Sequence, residues 1–446
     1  MRSRTAVRGG ILCTVAGCAA LLSGCAIYHS KPLPTGPDLT RAPRLTVPVS
    51  KLGVPGLEPQ PLDPAKGLTE TNVITLAVVD NPRLKALRRQ AGLARVQLLE
   101  AGLLPDPQLS GGLSKSSFFT GYSAALAEDI QALITRGAAQ GAARAHLEQV
   151  NLYILWQEWQ VAEQARALYI ETEALGELRG VLDERRKLLA RLYHQDEASL
   201  KLHDVTVSDV TSEFIAWNSV EVAWRAFELQ ENTTRHALDE LLGLAPGVRL
   251  RLRAAPSAQP VTAAQYRSAL AALPRRRPDL LALQAGYHSE EERLREAILA
   301  QFPLISAGVE KAREPDDNIQ AIGFNVTLTL PLFSRNRGPI AVGRASRAYL
   351  YQAYQASLDE TTNQVDQVWK AVRIMQRQLK ALDGRLSELE RAAAAAHESL
   401  QHGNLSLVDY ARVDSNALAT EAQAIQLRAS LEQAQAVLAT LLALPF

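Results

Sequence analysis

A chain of 446 residues could hold two or three ordinary domains, yet its composition is not that of an enzyme-like globule. Its 48 Lys+Arg nearly cancel 47 Asp+Glu, and no basic stripe marks it as a partner for nucleic acid. Aromatic residues are 5% and hydrophobic ones 47%, many of them Ala and Leu, which suits long helices.

At the start, Arg2, Arg4 and Arg8 precede an apolar stretch from Ile11 to Leu22, the layout of a secretory signal over 1–24. It closes on Leu22-Ser23-Gly24-Cys25, which resembles the bacterial lipoprotein box. That resemblance implies cleavage before Cys25 and covalent lipid on its sulfur. Val15-Ala16-Gly17-Cys18 fits the same pattern but would leave an apolar core of only about seven residues, the minimum for a signal. The stretch is too short to span as an uncleaved anchor. Cys13 and Cys18 leave with the signal, so the mature chain is expected to have no disulfide. No later segment is apolar for the roughly 18 residues a transmembrane helix needs. Ala26, rather than Asp, follows Cys25, which resembles the outer-membrane sorting default of lipoproteins.

Residues 25–66 are Pro-rich and read as an extended strap. The remainder reads as one unit written twice, over 67–250 and 251–446. Asn81-Pro82-Arg83-Leu84 aligns with Arg277-Pro278-Asp279-Leu280, and Pro107-Gln108-Leu109-Ser110 with Pro303-Leu304-Ile305-Ser306, at one offset. Arg136-Gly137 aligns with Arg337-Gly338, and Leu241-Leu242-Gly243-Leu244 with Leu441-Leu442-Ala443-Leu444, at offsets only slightly longer. Each copy predicts a helix, a β-hairpin, a long helix, a polar tip and another helix. In the first copy these are a helix near 82–104, a hairpin over 108–128, a long helix over 139–195 and a helix over 209–243. The second has its hairpin over 304–330 and its long helix over 340–398.

The long helices carry heptads. Leu147, Ile154, Val161, Leu168, Leu175, Leu182 and Leu189 fall at every seventh position. Leu358, Val365, Val372, Leu379 and Leu386 form a second row, with Val368, Met375, Leu382 and Leu389 beside it. This pattern specifies coiled-coil packing or the core of a helical bundle. A helix of about 57 residues would rise roughly 85 Å, too long for one ordinary domain. The flanking helices, stacked end to end, would lie along it.

The hairpins alternate. Ile322, Phe324, Val326, Leu328 and Leu330 face one way, and Gly323, Asn325, Thr327 and Thr329 the other. That is the length and pattern of a transmembrane β-strand, or of a half-buried hairpin in a soluble protein. Strand 304–311 is its expected partner, joined by an exposed loop over 313–318. The first hairpin, 108–115 with 121–128, is thinner, with Leu109, Leu113, Leu126 and many small residues. Four strands cannot close a barrel, and open edges are not tolerated in lipid. Spanning strands would therefore have to be shared, with three protomers supplying twelve.

Several stretches resemble the TolC-type outer-membrane efflux protein family. They are Leu330-Pro331-Leu332-Phe333-Ser334-Arg335-Asn336-Arg337-Gly338-Pro339-Ile340, Asn81-Pro82, Ala101-Gly102-Leu103-Leu104-Pro105-Asp106-Pro107 and Leu241-Leu242-Gly243-Leu244-Ala245-Pro246-Gly247. The resemblance covers roughly 70–446, and the lipobox and strap add likeness to its lipidated members that serve resistance-nodulation-division pumps. It implies a mainly α fold with a small β-barrel contribution: a long coiled-coil α-barrel and four transmembrane strands per protomer, in a homotrimer with a 12-stranded barrel. It further implies a passive exit duct in the outer membrane, reaching into the periplasm and docking to an adaptor and an inner-membrane pump. Members narrow at the periplasmic tip. Asp409 falls where the family often places a gate carboxylate, and Arg412 stands where some members have a second acid. Arg412 thus speaks against a double acidic ring. The two are a candidate gate, or a solvated helix tip with a structural Arg.

The first tip, from Asp196-Glu197-Ala198-Ser199 to His203-Asp204, reads two residues longer than the second and fits adaptor contact or a structural role. Gly137 and Gly338 read as sites of close backbone packing where strand becomes helix. No catalytic motif, cofactor site or metal motif is present, and the lipid on Cys25 would be the only non-peptide group. His194, His203 and His402 group only loosely near the tips, and Met375 lies in the heptad seam. The competing readings are an exit duct for protein secretion and a non-channel coiled-coil envelope lipoprotein.

Overall fold

The computed structural model of the protein describes residues 28–41, 67–115, 120–253, 260–313 and 320–444. The signal stretch, Cys25, most of the strap and the loop expected after residue 313 lie outside the described residues. The chain divides into Met1–Leu39 and Thr40–Phe446. In the first unit, residues 28–39 are exposed and without regular structure apart from a bend at 35–36. Pro32, Pro34 and Pro37 fix extended backbone there.

The second unit opens with Thr40, which makes a parallel bridge to Leu244, and Leu68, which makes another to Leu252. Helix α1 (Glu70–Asp80) follows, with Thr69 and Asn72 closing a capping box at its start. Nearly all of α1 from Asn72 onward is buried. It therefore lacks the apolar-polar alternation by which surface helices are recognised. Pro82 ends it by holding Asn81 outside the helical region and starts α2 (Pro82–Gly102) at its first position. Strands β1 (Gln108–Lys115) and β2 (Thr120–Asp129) lead into α3 (Ile130–Lys201), 72 residues long, or about 108 Å. Helix α4 (Val207–Leu242) returns along α3 and stops at Gly243, whose left-handed φ of 65° a side chain would strain.

The second half repeats this order. It comprises α5 (Ala263–Arg276), α6 (Pro278–Leu299), β3 (Leu304–Arg313), β4 (Gln320–Thr329), α7 (Arg337–Gln401) and α8 (Leu407–Leu441). The reading of one helix before each hairpin thus becomes two, with α1 and α5 added. The long helices also extend past their expected ends.

Helix α3 is the hub, packing against α1, α2, α4, α6 and α8, while α7 packs against α6 and α8. Ile154, Leu175, Leu182 and Leu189 of the first heptad row are buried, as are Val365 and Val372 of the second. The end-to-end stacking is visible where each half closes. In the first, buried Asn81 caps α2 through Leu84 N–H (3.0 Å) and donates its amide to Leu241 O at the end of α4 (3.0 Å). In the second, buried Arg277 occupies the matching place. Its guanidinium forks onto Asp279 (2.8 and 2.9 Å), lies 4.6 Å over the Trp156 ring and reaches Leu441 O at the end of α8 (3.5 Å). The same joint is made twice with different chemistry.

The close-packing reading of Gly137 and Gly338 is corrected. Among the described residues nothing lies within 4 Å of a Cβ built at either. Close approach falls one turn further along, where a Cβ at Gly141 would meet the Glu292 side chain at 3.1 Å and one at Gly343 would meet Leu294 at 3.1 Å. These are the points where α6 wedges between α3 and α7. The strand-to-helix junction has no such neighbour, so its glycines are not required for contact within one chain.

Candidate functional site

Two regions stand apart from the packed helices: the sheet at one end and the helix-hairpin tips at the other. The sheet is antiparallel in the spatial order β1-β2-β3-β4, two hairpins paired side by side with no break in register. Partners directly opposite share a face. One row therefore runs Leu109–Leu126–Val309–Phe324 across all four strands. The neighbouring row on the other face runs Ser110–Ala125–Glu310–Gly323. Outward positions of β4 are Ile322, Phe324, Val326 and Leu328, and Leu330 continues the pattern; Phe324 is 88% exposed. No packing partner among the described residues covers this apolar face. A soluble half-buried hairpin would have such a cover, and its absence favours strands solvated by lipid. The first hairpin keeps the same faces, with Leu113 86% exposed, although glycines and alanines thin its band.

The opposite face carries Ser306, Asn325, Thr327, Asp129 and Glu310 and no Lys or Arg within the strands. Gly308 lies on it, where a Cβ would meet Leu126 O at 2.6 Å and Asn325 Oδ1 at 2.7 Å. The outer edges of β1 and β4 have no strand partner among the described residues.

At the other end the chain turns twice. Leu202–Val205 joins α3 to α4, and His402–Leu405 joins α7 to α8. The two turns are equally long, which corrects the reading of a longer first tip. Each has one residue in the left-handed region, His203 (φ 63°) and Gly403 (φ 73°). Each is followed by a hydroxyl cap three residues before an Asp. Asp209 N–H donates to Thr206 Oγ1 (3.3 Å), and Asp409 N–H to Ser406 Oγ (3.1 Å). The Asp209 carboxylate accepts from the Thr206 hydroxyl and backbone, which holds its pKa below the usual range. Ser406 Oγ likewise donates to Asp409 Oδ2 (2.7 Å).

Asp409 and Arg412, the two residues singled out from the sequence, lie one turn apart on α8 with 4.0 Å between their charged groups. Their side chains are 56% and 67% exposed. The structure adds partners that the sequence reading missed. Asp196 of α3 is buried, and that burial, with the nearby charge of Asp209, raises its pKa. Burial likewise raises Glu213 of α4, and Asp196 adds to the effect while the Arg412 guanidinium opposes it. Arg412 thus reaches electrostatically from the second hairpin to the first. The repeated hydroxyl-x-x-Asp cap was the available signal for Asp209; nothing local could reveal Glu213.

Behind the first tip Tyr193 stacks on Trp217 at 5.1 Å, with Phe214 against both. Behind the second, the Tyr410 hydroxyl donates to Asp414 (2.9 Å), and burial together with that bond pushes its pKa up to about 12. Among the described residues no three His, Cys, Asp or Glu side chains are placed to hold a metal ion. No helix among them is long and apolar enough to cross a membrane.

A pH response follows from the raised carboxyls. Between their raised values and the ordinary 3.8 and 4.5, the folded tip binds protons that the unfolded chain does not. Tip stability is therefore fully gained below the ordinary values and lost as pH rises through the raised ones. Asp209, shifted the other way, loses its contribution only below this window. Wild-type tip amides should exchange more slowly in mild acid than at neutral pH, after correction for intrinsic rates. Asp196→Asn should give the slow pattern already at neutral pH. Identical corrected protection at both pH values in wild type would refute the coupling.

The sequence over residues 262–444 matches the family model described as outer membrane efflux protein. No curated protein matches the sequence. Among solved structures the chain is similar to CusC (17% identity, TM-score 0.67, covering 92% of this chain and 99% of that one). It is also similar to a membrane protein from Pseudomonas aeruginosa (16%, 0.71, 95% and 98%). A third is the CmeC outer membrane channel of Campylobacter jejuni (14%, 0.68, 94% and 95%). At these identities the structures establish a shared fold, and over its second half the chain is similar to the outer membrane efflux protein family.

Proposed function

We propose that the chain is the outer-membrane exit duct of a tripartite efflux system, a passive channel for small solutes. The observation that carries this is the four-stranded sheet whose apolar face is uncovered, and whose two edges have no strand partner, among the described residues. In hydrocarbon each open edge would leave backbone N–H and C=O groups unsatisfied, at several kcal/mol apiece. Neighbouring copies can supply the missing edges, and three copies give a twelve-stranded barrel of ordinary size. The polar face then lines the lumen, with Asp129 and Glu310 giving it an acidic bias. The helices continue on the periplasmic side, where the tips meet a periplasmic adaptor and, through it, an inner-membrane pump. Lipid on Cys25 adds a second attachment to the barrel. One acyl-anchored tail is a minor part of the holding energy once strands span, so Cys25→Ala leaves the barrel inserted.

In this reading Asp409 and Arg412 sit at the periplasmic constriction. Three copies of Asp409 would converge there and favour cations, with Arg412 pairing across to the first hairpin and limiting the acidic charge. The deciding experiment is conductance of the purified protein in planar bilayers, together with heat-labile trimer migration on gels. Wild type is expected to migrate as a trimer and conduct weakly, and Asp409→Ala to conduct more. A monomer that conducts in neither form would sink the duct.

A further inference from the structure

Four strands hold three basic residues: Lys115 on β1, and Lys311 and Arg313 on β3. Register fixes the face of each. Arg313 lies in the row Leu113–Tyr122–Arg313–Gln320, and Lys311 in the row Gly111–Ala124–Lys311–Ile322. Lys115 stands opposite Thr120, one outward row beyond Leu113. All three therefore point from the apolar, lipid-facing side. All three also lie at the hairpin-turn end, away from the helices. The carboxylate on the outward side of the strands is Glu128, opposite Ala307 at the helix end. The other face shows the reverse, with Asp129 and Glu310 and no cation.

Charges on a lipid-facing strand are costly in hydrocarbon and tolerated only at an interface. Their sign then reports the headgroups they meet. Lys311 and Arg313 are about 7 Å apart along one strand, and Lys115 is about 12 Å from Arg313, two strands over and one row on. Beside them lie Leu113, Tyr122 and Ile322, and below them the row Leu109–Leu126–Val309–Phe324 offers an apolar wall for acyl chains. A spread of cations over an apolar wall fits a headgroup carrying more than one phosphate better than a single phosphodiester.

We propose that Lys115, Lys311 and Arg313 form a binding site for the phosphates of lipid A, the phosphorylated glycolipid of the outer leaflet, at the rim of the barrel. The proposal rests on the duct reading, which puts the hairpin turns on the outer side of the membrane. The site would hold the duct at a fixed depth and orient it across the two leaflets.

The test uses full-length protein in detergent micelles containing lipid A, lipid A stripped of its phosphates, or phosphatidylglycerol at matched phosphate. Lipid retained after gel filtration is counted by mass spectrometry. Wild type should retain lipid A over both controls by on the order of tenfold. The triple variant Lys115→Gln/Lys311→Gln/Arg313→Gln should fall to the level of the stripped lipid while still forming the heat-labile trimer. Equal retention of intact and stripped lipid A by wild type would overturn the site, without needing any variant to fold. So would undiminished retention by the triple variant, or phosphatidylglycerol held as well as lipid A. Conductance of wild type in phosphatidylcholine bilayers separates the two readings. Conductance without a phosphate preference removes the lipid site alone, whereas no trimer and no conductance removes the duct.

Discussion

Phe324→Arg should abolish assembly in the membrane, whereas Thr327→Arg, three residues along the same strand, should leave it intact. Both positions are exposed in the single chain, so burial does not distinguish them. Phe324 belongs to the row Leu109–Leu126–Val309–Phe324, inside the apolar band. An arginine there costs about 2 to 4 kcal/mol in hydrocarbon, and the proposed trimer would carry that cost three times. Thr327 shares its row with Ser306 and Asp129 on the polar face, where a guanidinium meets water and a carboxylate. Its expected effect is a weaker cation preference in bilayer recordings at normal insertion. The measurement is the outer-membrane fraction of each variant, by gel migration without heating. Equal insertion of the two variants would show that the apolar face is not lipid-facing.

The second large effect is expected at the joints that close each half. Arg277→Ala strips Asp279 of a forked partner, uncovers Trp156 and leaves Leu441 O without its donor. Removing one member of a buried pair costs about 3 to 5 kcal/mol. Asp279 keeps some access to water, so the lower end applies. Arg277→Lys should recover little of it, because an ammonium can neither fork onto the carboxylate nor stack flat over the indole. Asn81→Ala removes a helix cap worth about 1 kcal/mol and orphans the buried Leu241 carbonyl for about 1 to 3 kcal/mol more. Denaturation of the detergent-solubilised protein, followed by circular dichroism, gives these differences. A change below about 0.5 kcal/mol for Arg277→Ala would mean that the joint is dispensable.

Much of this was legible because it is periodic. The heptad rows and the alternation along β4 are repeating signals, and a repeating signal survives local noise. The first hairpin was legible only as a faint copy of the second, since glycines and alanines carry no strong preference for a face. Helix α1 escaped because its burial on all sides erases the amphipathic pattern, and only the proline after Asn81 marks its end. Asp409 and Arg412 could be named from the resemblance of their tip to the TolC-type family. Their relation to Glu213 and Asp196 could not, since it depends on how two hairpins distant in sequence lie against each other. The likeness to the outer membrane efflux protein family is carried in the sequence by 262–444.

In the proposed duct, the edges of β1 and β4, which have no strand partner among the described residues, carry a genetic consequence. A ring is only as good as its worst seam, so a protomer with one blocked edge strand enters assemblies that it cannot complete. If intact and blocked chains are made in equal amounts and mix at random in threes, about one ring in eight contains intact copies alone. Lesions in those two strands would therefore be dominant, whereas lesions that merely unfold the helices would be recessive, because an unfolded chain never joins a ring.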